Sequence, residues 1–300
     1  WPLLIKPQPL KLRRERWDTP DGDFVDVDFL DGPADAPLLA MFHGLEGSSR
    51  SHYAIAAARA CKAAGWHLAL PHFRGCSGEL NRRPRAYHSG DSEEIDWVLR
   101  RLQAADGGRR IHAAGISLGG NALLKWAGER GAAAGAVVTG VAGICAPLDL
   151  AVCGHHLARG INRGYTKHFL ATMKVVSAAR LARFPGLFDA ERMRRATNLW
   201  EFDDAVTGPV HGFAGADDYW RRASAKPWLK SIAIPALAVN PKNDPFFPAA
   251  HLPRRDEVAP TVRLEQPAGG GHVGFVSGAF PGHLDWLPHR LLHFFTHQIA

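Results

Sequence analysis

Gly115-Ile116-Ser117-Leu118-Gly119 follows the apolar run Ile111-His112-Ala113-Ala114 and precedes a helix-like run from Gly120 to Trp126. A Gly-x-Ser-x-Gly pentapeptide between a strand and a helix is the pattern of a nucleophile elbow. The glycines let the turn pinch without a Cβ clash, so the Ser117 hydroxyl is expected to stand exposed at the edge of a sheet.

The surrounding chain supplies that sheet. Two alternating runs, Leu10 to Trp17 and Phe24 to Leu30, flank Thr19-Pro20-Asp21-Gly22 and predict an antiparallel hairpin. Short apolar runs then alternate with helical patterns. Strand-like Leu38–Phe42 precedes helix-like Tyr53–Ala64, His67–Leu70 precedes Glu93–Gln103, and Ile111–Gly115 precedes a helix from Leu118, with Ala136–Ile144 after it. Repeated β-then-α order predicts a parallel sheet with helices on both faces. Asp91 and Glu94 are placed to cap the second of these helices. Residues 149–228 break the rhythm: they are helical in pattern, rich in Arg and aromatics, and without a clear strand. The division read from this is a core of residues 1–148 and 229–300 with a helical cap insertion at 149–228. Strand signals resume at Ile232–Val239 and Thr261–Leu264, and a last amphipathic helix is expected from Leu284 to Gln298.

The bulk composition is that of a soluble globular chain: 300 residues, 46% hydrophobic and 22% charged, with no internal repeat. Residues 131–148 are uncharged over nearly a membrane-spanning length, but four glycines and Pro147 favour a helix end, a turn and one buried strand. Four cysteines (Cys61, Cys76, Cys145, Cys153) form no CxxC pair, which points to reduced thiols and a cytoplasmic location. Trp1 is not an initiator methionine, so a preceding segment, including a removed targeting segment, is consistent with the sequence. The net charge of +7 invites a nucleic-acid reading, but the arginines are scattered and no recognition motif accompanies them. Solvated surface charge is expected, with no nucleic-acid partner; a weak contact of the basic cap with a membrane surface is the second reading. The sequence carries no signal for an oligomeric partner.

A serine nucleophile needs a neutral imidazole within reach, held by a third group, in the chain order serine, acid, histidine. Among sixteen histidines, His272 sits in Gly269-Gly270-Gly271-His272-Val273-Gly274, a flexible loop after the last strand. Asp244 closes Asn240-Pro241-Lys242-Asn243-Asp244-Pro245 after the Ile232–Val239 strand; Asp149 is its rival after the preceding strand, and Asp217-Asp218 a weaker one. Oxyanion donors are expected from the backbone amides of Leu118 and Leu45, the latter in His43-Gly44-Leu45-Glu46-Gly47, where Gly44 permits close approach. His43 precedes the serine and reads as a residue that orders this loop. His289, His293 and His297 recur at i, i+4, i+8 on the last helix without a recurring fourth ligand, and no metal site is expected there. Cys76 lacks an obvious base and reads as a buried or loop thiol.

His43-Gly44-Leu45-Glu46-Gly47, Pro71-His72-Phe73-Arg74-Gly75-Cys76-Ser77-Gly78-Glu79, Tyr87-His88-Ser89-Gly90 and Gly115-Ile116-Ser117-Leu118-Gly119-Gly120-Asn121 together resemble the YheT-type branch of the α/β-hydrolases. That branch includes ester and phospholipid hydrolases. Asp218-Tyr219, Ser224, Ile232, Pro235 and Asn243-Asp244 extend the resemblance, while Trp220 stands where a tyrosine is usual. The resemblance implies an α/β-hydrolase fold and a serine carboxylesterase with Ser117, Asp244 and His272 as its triad. The resemblance stops at that reaction class; the reading built on these residues is hydrolysis of a small-molecule ester of short or medium acyl chain through an acyl-enzyme intermediate, with no metal or organic cofactor. An acyltransferase or thioesterase on the same triad, or a lipid-surface binding protein without catalysis, are the competing expectations.

Overall fold

A computed structural model describes residues 8–105 and 108–299; Trp1 lies outside them. Eight strands form one sheet: β1 (Arg13–Asp18), β2 (Phe24–Leu30), β3 (Leu38–Phe42), β4 (His67–Pro71), β5 (Ile111–Ile116), β6 (Gly140–Ile144), β7 (Ala236–Val239) and β8 (Val262–Glu265). Their order is β1-β2-β4-β3-β5-β6-β7-β8. β1 and β2 pair antiparallel, as do β2 and β4, and every later pair is parallel.

The inner parallel strands β3 to β7 are buried along their whole length and mostly apolar because both of their faces are covered, while the edge strand β8 keeps Arg263 exposed. In β3, Leu38, Ala40 and Phe42 enter one core cluster while Leu39 and Met41 enter the other. β7 divides likewise, Ala236 and Ala238 against Leu237 and Val239. Helix α1 (His52–Ala64) covers the second face; α2 (Ser92–Ala105) and α3 (Leu118–Arg130) cover the first. Between β6 and β7 run α4 (Leu150–Leu157), α5 (Arg163–Arg183), α6 (Ala190–Arg195), α7 (Leu199–Phe202), α8 (Gly208–His211) and α9 (Ala216–Ala223). Finally α10 (Trp286–His297) lays Leu287, Leu291, Phe294 and Phe295 beside α1.

Three strand starts differ from expectation by more than one residue, each for a local reason. β1 starts at Arg13, because Leu10 and Leu12 pack against the cluster on the α1 side instead of extending the hairpin. Residues 131–136 form a 3-10 helix, and β6 begins at Gly140, where pairing with His112 of β5 starts. β7 begins at Ala236: Pro235 has no amide to donate, while Ile232 and Ile234 are buried in the core as loop residues. The cap of α2 is half of the expected pair. Asp91 accepts from the Glu94 amide at 3.3 Å, but the Glu94 carboxylate turns away to Arg74 Nε at 2.5 Å.

Trp220 is 3% exposed, and its indole Nε1 donates to Asp203 Oδ2 at 2.7 Å, a bond that a tyrosine at this position would have to make with different geometry. Much of the positive charge is already paired: Arg14 with Asp28 at 2.6 Å, Arg16 with Asp26 at 2.8 Å, and Arg74 with Asp21, Asp23 and Glu94. Ile161, between α4 and α5, and Val175 of α5 are exposed. No described helix is long and apolar enough to cross a membrane.

Candidate active site

Parallel strands place ligands beyond their carboxyl ends, and the residues singled out from the sequence lie at those ends. Ser117 follows β5, Asp244 follows β7, and His272 follows β8. Ser117 Oγ is 3.0 Å from His272 Nε2. His272 Nδ1 faces both Asp244 oxygens, at 2.9 Å from Oδ2 and 3.1 Å from Oδ1. The Asp244 carboxylate is buried and also accepts from the Phe246 amide at 2.8 Å, while the Phe246 ring stacks on the imidazole with centroids 3.9 Å apart. Asn243 Oδ1 accepts from the Gly271 amide at 2.8 Å, tying the two loops together.

The elbow is tight. Ser117 has φ 51° and ψ −115°, and its amide donates to the Ile144 carbonyl at 2.7 Å. A Cβ on Gly119 would lie 2.5 Å from the His43 carbonyl oxygen and 2.7 Å from that of Phe42, so only glycine lets the elbow close against the end of β3. Glu46 (φ 53°), Cys145 (φ 49°) and Val273 (φ 62°) share the left-handed backbone of Ser117, each in a loop that meets at this site. Strain of this kind, about 1–3 kcal/mol per residue, persists only where the surrounding packing holds it.

The loop after β3 is held by three side chains. His43 is 3% exposed; its Nδ1 donates to the Gly44 carbonyl at 2.7 Å and its Nε2 accepts from the Phe73 amide at 3.0 Å. Tyr53 Oη accepts from the Gly44 amide at 3.0 Å. Tyr87 Oη accepts from the Glu46 amide at 2.9 Å and donates to Glu46 Oε1 at 2.6 Å. Between these engaged amides, that of Leu45 has no protein acceptor among the described residues, and neither has that of Leu118, the first residue of α3. Tyr53 and Tyr87 were not singled out from the sequence, although Tyr87 opens the Tyr87-His88-Ser89-Gly90 stretch.

Complete burial pushes the His43 imidazole down to about 3 from the ordinary 6.5. Below pH 6.5 the unfolded chain takes up a proton at this histidine that the folded chain refuses until far lower pH. Stability from the neutral ring is therefore intact above about 6.5 and declines as pH falls toward 3. His43→Gln keeps one donor and one acceptor but cannot titrate. Chemical denaturation of both proteins at about pH 7 and about pH 5 should show the gap between them moving roughly 2 kcal/mol in favour of the variant. A gap independent of pH means that His43 is not held neutral.

The rival acids are otherwise engaged. Asp149 caps α4, accepting from the Val152 amide at 3.1 Å. Asp217 accepts from Trp200 Nε1 and Asp218 pairs with Arg221 and Arg222. Among the described residues, His289, His293 and His297 form no group of converging metal donors; the group that does is Cys145, Asp244 and His272. Its imidazole is engaged at both nitrogens, and burial beside Asp244 pushes the Cys145 thiol up, so that cluster offers a poor ligand set. Burial also raises the Cys76 thiol. All four cysteines are free.

Ser117 and His272 line a cavity of about 140 Å³ whose walls include Leu157, Phe169, Met173 and Val206 from the helices between β6 and β7. Such a largely apolar space suits an apolar chain; Glu46, His88, Arg180, Asp203 and His211 also line it.

The chain matches the family model described as alpha/beta hydrolase fold over residues 37–279. It is 39% identical to the Escherichia coli protein named "Putative esterase YheT", over 94% of this chain and 84% of that one. It is 28% identical to the Mus musculus protein named "Phospholipase ABHD3", over 93% of this chain and 70% of that one. Among solved structures, Est1E from Butyrivibrio proteoclasticus with ferulic acid bound gives a TM-score of 0.61 at 16% identity, covering 94% of this chain and 98% of that one. The Pyrococcus furiosus esterase PF2001 gives 0.61 at 15% identity, covering 97% and 92%. At those identities the two structures speak for the fold alone, while the family match and the closer sequence likeness carry the rest. The chain belongs to the α/β-hydrolase family, in its YheT-type branch, and is a carboxylic ester hydrolase.

Proposed function

We propose that the protein is a serine carboxylesterase that cleaves short- to medium-chain esters through an acyl-enzyme. The observation that carries this reading is the unbroken hydrogen-bonded chain from Asp244 through His272 to Ser117 at an apolar cavity. Ser117 Oγ attacks the ester carbonyl while His272 Nε2 takes its proton and passes it to the departing alcohol. Asp244 keeps the Nδ1–H tautomer and steadies the imidazolium that forms. The Leu45 and Leu118 amides receive the oxyanion, and water attacks the acyl-enzyme in the second half. The helices of residues 149–228 act as a cap whose apolar side chains take the acyl chain; each CH₂ buried there contributes about 0.8 kcal/mol. The name of the mouse relative, a phospholipase, is consistent with a lipid-like ester.

A fluorophosphonate probe tests the reading at the nucleophile. Mass spectrometry after labelling should find Ser117 alone modified, with loss of turnover of p-nitrophenyl butanoate in step with the labelling. Label on another serine, or full labelling with activity intact, overturns it.

A further inference from the structure

Two arginines are almost completely buried among the described residues, and they are treated differently. Arg74, 5% exposed, is met by Asp21, Asp23 and Glu94. Arg180 of α5, 6% exposed, lines the same cavity as Ser117 and His272, and its guanidinium makes no hydrogen bond and no ion pair with any described residue. Its Nη2 sits over the loop after β4, 3.4 Å from where a Cβ of Gly75 would lie. The groups around it are Tyr87, Cys76, Glu46 and Asp23. Tyr87 and Cys76 are neutral, since burial pushes both well up. The Glu46 and Asp23 carboxylates act on it through space without reaching ion-pair distance, Glu46 being held by the Tyr87 hydroxyl at 2.6 Å and Asp23 by Arg74, Asn81 and the Arg82 amide.

Burying a cation without a directly contacting counter-ion or hydrogen-bond acceptor is costly, and proteins rarely retain one in that state. Unlike an ammonium, a guanidinium presents a planar fork that matches the two oxygens of a carboxylate or phosphate. We propose that Arg180 is a substrate-binding residue that takes an oxyanion, carboxylate or phosphate, carried by the ester whose carbonyl is held at Ser117. The substrate class is then an anionic ester: its apolar chain lies among Met173, Phe169 and their neighbours, and its charged group completes the pair that the protein leaves open. This inference rests on the esterase reading, which supplies the reaction but says nothing of charge.

Two measurements on the full chain separate the two claims. The first is the ratio of kcat/KM for mono-p-nitrophenyl glutarate to that for p-nitrophenyl pentanoate, compared between the unmodified protein, Arg180→Gln and Arg180→Lys. Arg180→Gln should lower this ratio about tenfold or more, with Arg180→Lys in between. The second is titration calorimetry of butyl phosphate and of butanoate into Ser117→Ala and into the Ser117→Ala, Arg180→Gln double variant, which needs no turnover. Binding should weaken about tenfold in the double variant for at least one of the two ions, and the ion affected identifies the group recognised. A ratio unchanged in Arg180→Gln, including an equal loss on both esters, overturns the proposal, as does absence of anion binding to Ser117→Ala. Failure of the unmodified protein to cleave either ester strikes the esterase reading alone, and the calorimetry still decides the role of Arg180.

Discussion

Replacing Ser117 by alanine is expected to lower kcat by roughly 10⁴–10⁶-fold, the scale on which triad serines act. The size follows from the lack of a substitute: among the described residues no other hydroxyl is hydrogen-bonded to His272 Nε2. The rate that survives would come from water, from the Leu45 and Leu118 amides and from the cavity walls, all of which the variant keeps. Stability should change little. The Ser117 side chain makes no capping bond to α3, and alanine meets the same positive φ that serine does. A melt close to that of the unmodified protein, together with the loss of turnover, marks a chemical defect and not an unfolded elbow. A variant within tenfold of full activity would take the nucleophile away from Ser117.

Much of the sheet is legible in the sequence because its parallel strands are covered on both faces and so read as short, unbroken apolar runs between helical patterns. Leu38–Phe42 is a clear example, with every residue buried. The same logic misleads at Ile232–Ile234. The Ile232 and Ile234 side chains are as apolar and as buried as strand residues, but Pro235 delays the ladder, and burial alone does not distinguish a core loop from a strand. At the site, Ser117, Asp244 and His272 could be singled out because each lies just past a strand, with turn residues that mark the place. Tyr53, Tyr87 and Phe246 carry no comparable mark. Tyr87 acts on Glu46, distant in the chain, and Tyr53 begins what reads as an ordinary amphipathic helix. Arg180 is the extreme case: on a helix rich in basic residues nothing sets it apart until the fold shows it turned inward with no ion pair to any described residue.

Asp244→Asn should cost about 10⁴-fold in kcat, and the geometry gives the reason. The two carboxylate oxygens are not equivalent: Oδ1 accepts from the Phe246 amide at 2.8 Å and lies 3.1 Å from His272 Nδ1, while Oδ2 is the nearer to Nδ1 at 2.9 Å. Asparagine has one acceptor. If its oxygen stays with the Phe246 amide, its NH₂ faces Nδ1 and can be accommodated only when that nitrogen carries no proton. The imidazole proton then moves to Nε2, opposite Ser117 Oγ, where an acceptor is required, and the base is lost with the fold intact. If the amide turns the other way, the Phe246 amide loses its acceptor and the ring stacked on His272 loosens. Either orientation damages the base. Asp149→Asn is the control, because Asp149 caps α4 and asparagine caps nearly as well, so kcat should stay within about threefold and stability within about 0.5 kcal/mol. Steady-state kinetics of the two variants on one ester decide between the acids. If Asp149→Asn proves the more damaging, the carboxylate that orients His272 belongs after β6 and not after β7.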